Sequence, residues 1–167
     1  TPSGTTHAFL RRDAVESGTG VLALGSPTYG EIEPAAQVAY VRGRDLTPLP
    51  SSGDEAKSVG DTVLLGAEAS ETGLRDALGK QDRWRAVHFA CHGLVDREFP
   101  LLSSLALSRS EGEDGFLTVA EVLRMQIPAD LTVLSACETG TGKVIWGEGI
   151  VGLTRAFMYA GASRVLC

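Results

Sequence analysis

Three short, continuously apolar runs constrain the fold of this chain more than any other feature. They are VLALG (21–25), AVHFACH (86–92) and LTVLSA (131–136). Strands that are apolar on both faces are typical of a parallel sheet that is covered by helices on each side. The runs therefore predict an α/β domain built around a mostly parallel sheet.

The segments between these runs complete an alternation of strands and helices. Ser70 is placed as the N-cap of one helix, and Thr118 stands three residues before Glu121, as in a capping box. Gly161 suits the position that follows the last helix. Further strands are predicted at 46–50, 62–65, 105–107 and 163–167, and helices at 52–59, 70–78, 117–125 and 148–160.

Charge and cysteine content exclude several classes of protein. The 167 residues carry a formal net charge of −6, and no dense Lys/Arg cluster is present to bind nucleic acid or an anionic membrane surface. No stretch approaches the ~18 apolar residues of a membrane span. Three cysteines are too few and too scattered for a disulfide scaffold, so we expect a reducing, cytoplasmic setting. We expect residues 1–20 to be a flexible lead-in or linker and residues 21–167 to form the domain.

Two of the three apolar runs lead directly into reactive side chains. One run ends in His92, with Gly93 after it, and another is followed by Cys137. Because ligands bind at the carboxyl ends of parallel strands, these side chains are candidates for one site. An imidazole that takes the proton of a thiol produces a nucleophilic thiolate. The backbone N–H groups of Gly93 and Cys137 would then form the oxyanion hole.

The other histidines and cysteines have structural interpretations. Cys91 lies on the opposite strand face from His92 and is expected in the core, as is Cys167 in the final strand. His88 is expected to be packed and hydrogen-bonded. A zinc site made of His88, Cys91, His92 and Cys137 is disfavoured, because Cys91 would point away from the histidines. We therefore expect no metal and no cofactor.

A nucleotide site is the alternative from a different class of function. GEGIVG (147–152) fits G-x-G-x-x-G and opens a predicted helix, whose N-terminus could bind a pyrophosphate. Glu148 would bring a negative charge to the phosphates, and only about three residues of strand precede the motif. The acidic ribose ligand expected about 20 residues further on would fall at or beyond residue 167.

Several segments together resemble the CHAT family of caspase-related cysteine peptidases. They are FACHG (89–93), LSACETGTG (134–142) and GEGIVGLTRAFMYAGASRVL (147–166), with DGFLTVAEVL (114–123) between the first two. The 45-residue separation of His92 and Cys137 also suits the caspase arrangement. The resemblance is strong from Arg85 onward and weaker over residues 20–84.

The resemblance implies a caspase-like three-layer sandwich with a mostly parallel central sheet. It implies His92 as the general base, Cys137 as the nucleophile, and backbone groups of Gly93 and Cys137 as the oxyanion hole. It further implies a protein or peptide substrate, tetratricopeptide (TPR) or other helical repeats in the full-length protein, and a regulatory or defence setting such as that of separase and the bacterial defence proteases.

Two departures from the family pattern lead to further expectations. Family members continue into more strands and helices after the position of Cys167, so we expect the C-terminal part of the domain to be absent. Glu138 follows the cysteine, where caspases have a basic or small residue, so specificity for Asp is not carried over. An acidic pocket formed from Asp96, Glu138 or Glu148 would favour Lys or Arg before the cleaved bond. A catalytically silent interaction module with the same fold is the alternative.

Overall fold

The computed structural model describes residues 17–29, 46–96, 98–136 and 148–167 of the chain, and the side chains of residues 148–150 are not among the described groups. The described part is an α/β domain with two sheets. Its strands are β1 (Thr19–Pro27), β2 (Thr62–Gly66), β3 (Trp84–Ala90), β4 (His92–Leu94), β5 (Ser104–Ala106), β6 (Phe116–Thr118), β7 (Ala129–Ser135) and β8 (Val165–Leu166).

The larger sheet has the strand order β2-β1-β3-β7-β8, and all its neighbouring strands are parallel. The predicted mostly parallel α/β fold is therefore confirmed. β1, β3 and β7 correspond to the three apolar runs, and they occupy the centre of the sheet. Their carboxyl ends lie at one edge of the sheet, which is where a ligand site is expected in such folds.

Four α-helices are described, and local sequence explains several of their ends. They are α1 (Pro50–Val59), α2 (Glu71–Leu78), α3 (Val119–Val122) and α4 (Glu148–Tyr159). The Ser70 hydroxyl accepts the N–H of Gly73 at 3.1 Å, as predicted for an N-cap. Thr118 and Glu121 form the predicted capping box. Gly161 follows α4 with a φ of 118°, a left-handed conformation that favours glycine.

Helices cover the parallel sheet on both faces. On one face, Leu22 and Phe89 belong to a buried cluster with Leu74 of α2 and Phe157 of α4. The Phe89 and Phe157 rings lie 5.3 Å apart. On the other face α1 approaches β1 so closely that a Cβ at Gly25 would overlap the carbonyl oxygen of Ser52. Burial on both faces explains why the central strands are continuously apolar.

The smaller sheet is antiparallel, with the order β4-β5-β6. It begins immediately after β3, because only Cys91 separates Ala90 from His92. The predicted strand 86–92 is thus two elements: the parallel strand ends at Ala90, and His92 begins a strand of the second sheet. A continuous apolar run does not reveal this change of direction, since both sheets bury their residues here.

Other boundaries also differ from prediction. The strand predicted at 46–50 is wrong, because residues 46–49 have no regular structure and Pro50 occupies the first turn of α1. The helix predicted at 117–125 is reduced to α3, because Leu117 pairs with Leu105 between β6 and β5. Cys167 is exposed rather than buried, since it follows the two-residue strand β8, which pairs with β7 on one side.

No helix in the described part of the chain has the length and apolar character needed to cross a membrane.

Candidate active site at the carboxyl ends of strands 3 and 7

His92 is held in a buried position at the junction of the two sheets. Its residue is 2% exposed, and its Nε2 atom lies 2.7 Å from the carbonyl oxygen of Thr47. A carbonyl oxygen only accepts hydrogen bonds, so Nε2 carries the hydrogen in this contact. In the neutral ring, Nδ1 is then the basic nitrogen. The contact fixes both the tautomer and the orientation of the imidazole, which is what a general base requires.

Tyr29 packs beside the same imidazole. The two rings lie 5.3 Å apart and are tilted by 40°, and the backbone N–H of His92 donates to the Tyr29 hydroxyl at 3.4 Å. Burial raises the pKa of the Tyr29 phenol, followed by a smaller effect from Cys91, so the phenol is neutral at physiological pH. An uncharged aromatic ring therefore packs against one side of the imidazole.

Sequence analysis missed both Thr47 and Tyr29. Thr47 acts through its backbone carbonyl, so its residue type carries no signal. Tyr29 stands just beyond the carboxyl end of β1. The rule that ligands bind at the carboxyl ends of parallel strands points to this loop, although it does not single out the tyrosine.

The strand that begins with His92 approaches the end of β7. β3 and β7 are paired with Ala90 opposite Ser135. Beyond this pair, a Cβ built at Gly93 would lie 3.1 Å from the carbonyl oxygen of Ala136 and 3.2 Å from its Cβ. Both distances are shorter than most Cβ contacts in proteins, and two carbon atoms ordinarily pack at about 3.5–4.0 Å. Glycine at position 93 therefore permits close approach to the residue that precedes Cys137.

Cys137 and Glu138 lie outside the described residues, as does Gly147. Glu148 begins α4, but its side chain is not described. The predicted pairing of His92 with Cys137 and the oxyanion hole thus stay predictions, as does the nucleotide motif at 147–152. The structure places the general-base candidate and the residue before the nucleophile candidate at the same edge of the sheet.

Asp96, the pocket candidate whose side chain the structure describes, shapes a turn. It is 4% exposed, and its Oδ1 accepts the N–H groups of Glu98 at 2.9 Å and Phe99 at 2.8 Å. Its own N–H donates to the Ser103 hydroxyl at 3.0 Å. These contacts hold the connection between β4 and β5, three residues after Gly93. A role in a substrate pocket stays a prediction.

His88 and Cys91 are structural groups, whereas Cys167 is exposed. His88 Nε2 lies 2.9 Å from Oε1 of Glu55, which confirms the predicted hydrogen-bonded histidine. Cys91 is 1% exposed, as predicted for a core residue, and burial raises the pKa of its thiol to about 12. A buried thiol with that pKa is not a nucleophile at neutral pH. Cys167 is exposed, with its Sγ 3.4 Å from the Thr154 hydroxyl oxygen.

Comparison with known proteins agrees with this architecture. The profile of the CHAT domain matches residues 1–167. A human relative, tetratricopeptide repeat protein 28, is 30% identical over 156 residues, in a match that covers 71% of this chain and 6% of the relative. The chain thus spans a small fraction of the length of that relative. With the family pattern matched along its whole length and a mostly parallel α/β sheet at its centre, the chain belongs to the CHAT domain family, a family of caspase-like peptidases.

Proposed function

We propose that the chain is a cysteine endopeptidase that cleaves protein or peptide substrates, with His92 as the general base and Cys137 as the nucleophile. The observation that carries this proposal is the contact between Gly93 and Ala136. It brings the residue after the histidine against the residue before the cysteine. Membership of a caspase-like peptidase family supports the same pairing.

The first half of the reaction forms an acyl-enzyme. The Nδ1 atom of His92 takes the proton of the Cys137 thiol, and the thiolate attacks the carbonyl carbon of the scissile peptide bond. The developing oxyanion accepts hydrogen bonds from the backbone N–H groups of Gly93 and Cys137. His92 returns its proton to the leaving amine as the C–N bond breaks. During these steps the Thr47 carbonyl stabilises the imidazolium through Nε2.

The second half is hydrolysis of the thioester. His92 accepts a proton from water, the hydroxide attacks the acyl carbon, and the proton returns to the cysteine sulfur as the acid product leaves. The reaction requires a reduced thiol, so it suits a reducing compartment such as the cytoplasm.

The human relative suggests the setting in which the peptidase works. That relative is a tetratricopeptide repeat protein. We propose that this domain likewise works beside helical repeats, which would present a protein substrate to the edge of the sheet where His92 lies. A regulatory or defence role, with one or a few sites cut per substrate, fits this arrangement.

Cleavage of an unbiased peptide library tests the proposal. The wild-type protein should cut peptides, and Cys137→Ala should remove all cleavage while the thermal unfolding curve stays unchanged. Cys167→Ala is the matched control, because it removes an exposed thiol outside the site and should leave cleavage intact. Preference for Lys or Arg before the cut bond would support the acidic pocket of Asp96, Glu138 and Glu148.

Two results would contradict the proposal. Cleavage that survives in Cys137→Ala would place the nucleophile elsewhere. A folded wild-type protein that cuts no peptide, with or without its full-length repeat context, would instead favour a catalytically silent interaction module.

A further inference from the structure

Three glutamates from separate segments converge outside the proposed catalytic site. Glu71 is the first residue of α2, Glu113 lies in the connection between β5 and β6, and Glu121 belongs to α3. One carboxylate oxygen from each lies within 4.8 Å of the other two. We call these three residues the carboxylate cluster.

Arg75 contacts two members of this cluster. Its guanidinium lies 3.2 Å from Oε2 of Glu71 and also forms an ion pair with Glu113. One guanidinium thus faces three carboxyl groups, and nearby Asp114 has Arg109 beside it. The cluster itself is therefore short of positive charge.

The second oxygen of Glu71 is an independent sign of a missing ligand. The Glu71 side chain has no exposed area, and its Oε1 has no hydrogen-bond partner among the residues that the structure describes. Native proteins rarely leave a buried polar atom without a hydrogen-bond partner, because such an atom loses its bonds to water and gains none in return. A bound cation would satisfy this oxygen and supply the missing positive charge.

The number of carboxylates favours one cation. Ca²⁺ takes about six to eight oxygen ligands, carboxylates among them, in a flexible geometry. Mg²⁺ keeps several waters and is usually bound through only one or two carboxylates. Three carboxylates whose oxygens lie within 4.8 Å of one another therefore favour Ca²⁺. Glu121 is already oriented, because its Oε2 accepts the N–H of Thr118 at 2.8 Å and the hydroxyl of Thr118 at 2.6 Å.

We propose that the carboxylate cluster of Glu71, Glu113 and Glu121 is a Ca²⁺ site. The ion would join the start of α2 to the β5–β6 connection and to α3. It would thereby fix the far strands of the small sheet whose first strand carries His92. Calcium binding at this cluster would not require peptidase activity.

Calorimetric titration of the metal-free wild-type protein with CaCl₂, together with thermal unfolding, tests the site. We expect saturable binding of one Ca²⁺, an unfolding temperature that rises with Ca²⁺ concentration, and a weaker effect of MgCl₂. Glu71→Gln should weaken Ca²⁺ binding at least tenfold. Glu111→Gln removes the same charge from an exposed position two residues from Glu113 and should bind as the wild type does.

Any other result would contradict the proposed Ca²⁺ site. Absence of heat and of any thermal shift up to about 10 mM Ca²⁺, above the range of the weakest ordinary calcium sites, would show that Arg75 alone serves the cluster. Equal binding by the wild type, Glu71→Gln and Glu111→Gln would place the ion elsewhere. The unfolding curves without calcium show whether Glu71→Gln is folded, and Glu113→Gln provides a second test if it is not.

Discussion

Gly93→Ala probes the contact that brings the two halves of the proposed site together. A Cβ at this position would lie 3.1 Å from the carbonyl oxygen of Ala136, a few tenths of an ångström too close. To remove this overlap, either Ala136, which precedes Cys137, or His92 must shift. Overpacking of this kind costs about 1–3 kcal/mol. For a chain of this size we therefore expect the unfolding temperature to fall by roughly 2–12 °C.

Gly79→Ala is the matched control for this substitution. Gly79 follows α2 with φ −69° and ψ −7°, and the atoms nearest to a new Cβ are 3.7 and 3.8 Å away. Alanine adopts this conformation without strain, so it should stabilise the protein by about 0.4–1 kcal/mol. The two glycine-to-alanine changes thus have opposite predicted signs.

Thermal and denaturant unfolding measure the stability of both variants, and a peptide cleavage assay measures their peptidase activity. We expect Gly93→Ala to lower kcat/KM by tenfold or more, since displacement of about 1 Å can cost about 100-fold. Equal stability of the two variants, together with unchanged cleavage by Gly93→Ala, would refute the close approach of β4 to the end of β7.

Three further predictions concern the framework around the site. Phe157→Ala should lower the free energy of unfolding by about 3–5 kcal/mol in denaturant titrations, because it empties the buried contact with Phe89. Glu55→Ala should lower it by about 0.5–1.5 kcal/mol through loss of the bond to His88, and should leave cleavage unchanged. Burial, followed by the neighbouring carboxylates, raises the pKa of Glu71 from 4.5 to about 8. Between pH 4.5 and 8 the folded state therefore holds a proton that the unfolded state has released. As the pH rises through this range, the free energy of unfolding of the wild type should fall relative to that of Glu71→Gln, by up to about 1.4 kcal/mol per pH unit. Denaturant titrations without calcium measure this difference.

Local sequence signals predicted the main architecture because they depend on few neighbours. The apolar runs of β1, β3 and β7 reflect burial on both faces of one sheet, and the caps at Ser70 and Thr118 reflect bonds within four residues. Such signals can be recognised without knowledge of the contacts between distant parts of the chain. They fixed the class of fold and the edge of the sheet on which to look for a site.

The features that sequence analysis missed depend on distant contacts. The end of β3 at Ala90 and the start of a second sheet at His92 follow from pairing with Ala106, which lies in another part of the chain. Thr47 contributes a backbone carbonyl, so no side-chain pattern marks it. The carboxylate cluster joins three segments whose glutamates resemble ordinary surface residues until the fold buries Glu71.

The central claim is that His92 activates Cys137, and the pH dependence of thiol alkylation measures it most directly. The measurement uses a Cys167→Ser background, because Cys167 is exposed, whereas burial raises the pKa of Cys91 to about 12 and keeps it unreactive. We predict one labelled residue, Cys137, whose alkylation stays fast well below the ordinary thiol pKa of about 8.5 and becomes slow in His92→Ala. A Cys137 alkylation rate that follows an ordinary thiol pKa and is unchanged by His92→Ala would contradict the account.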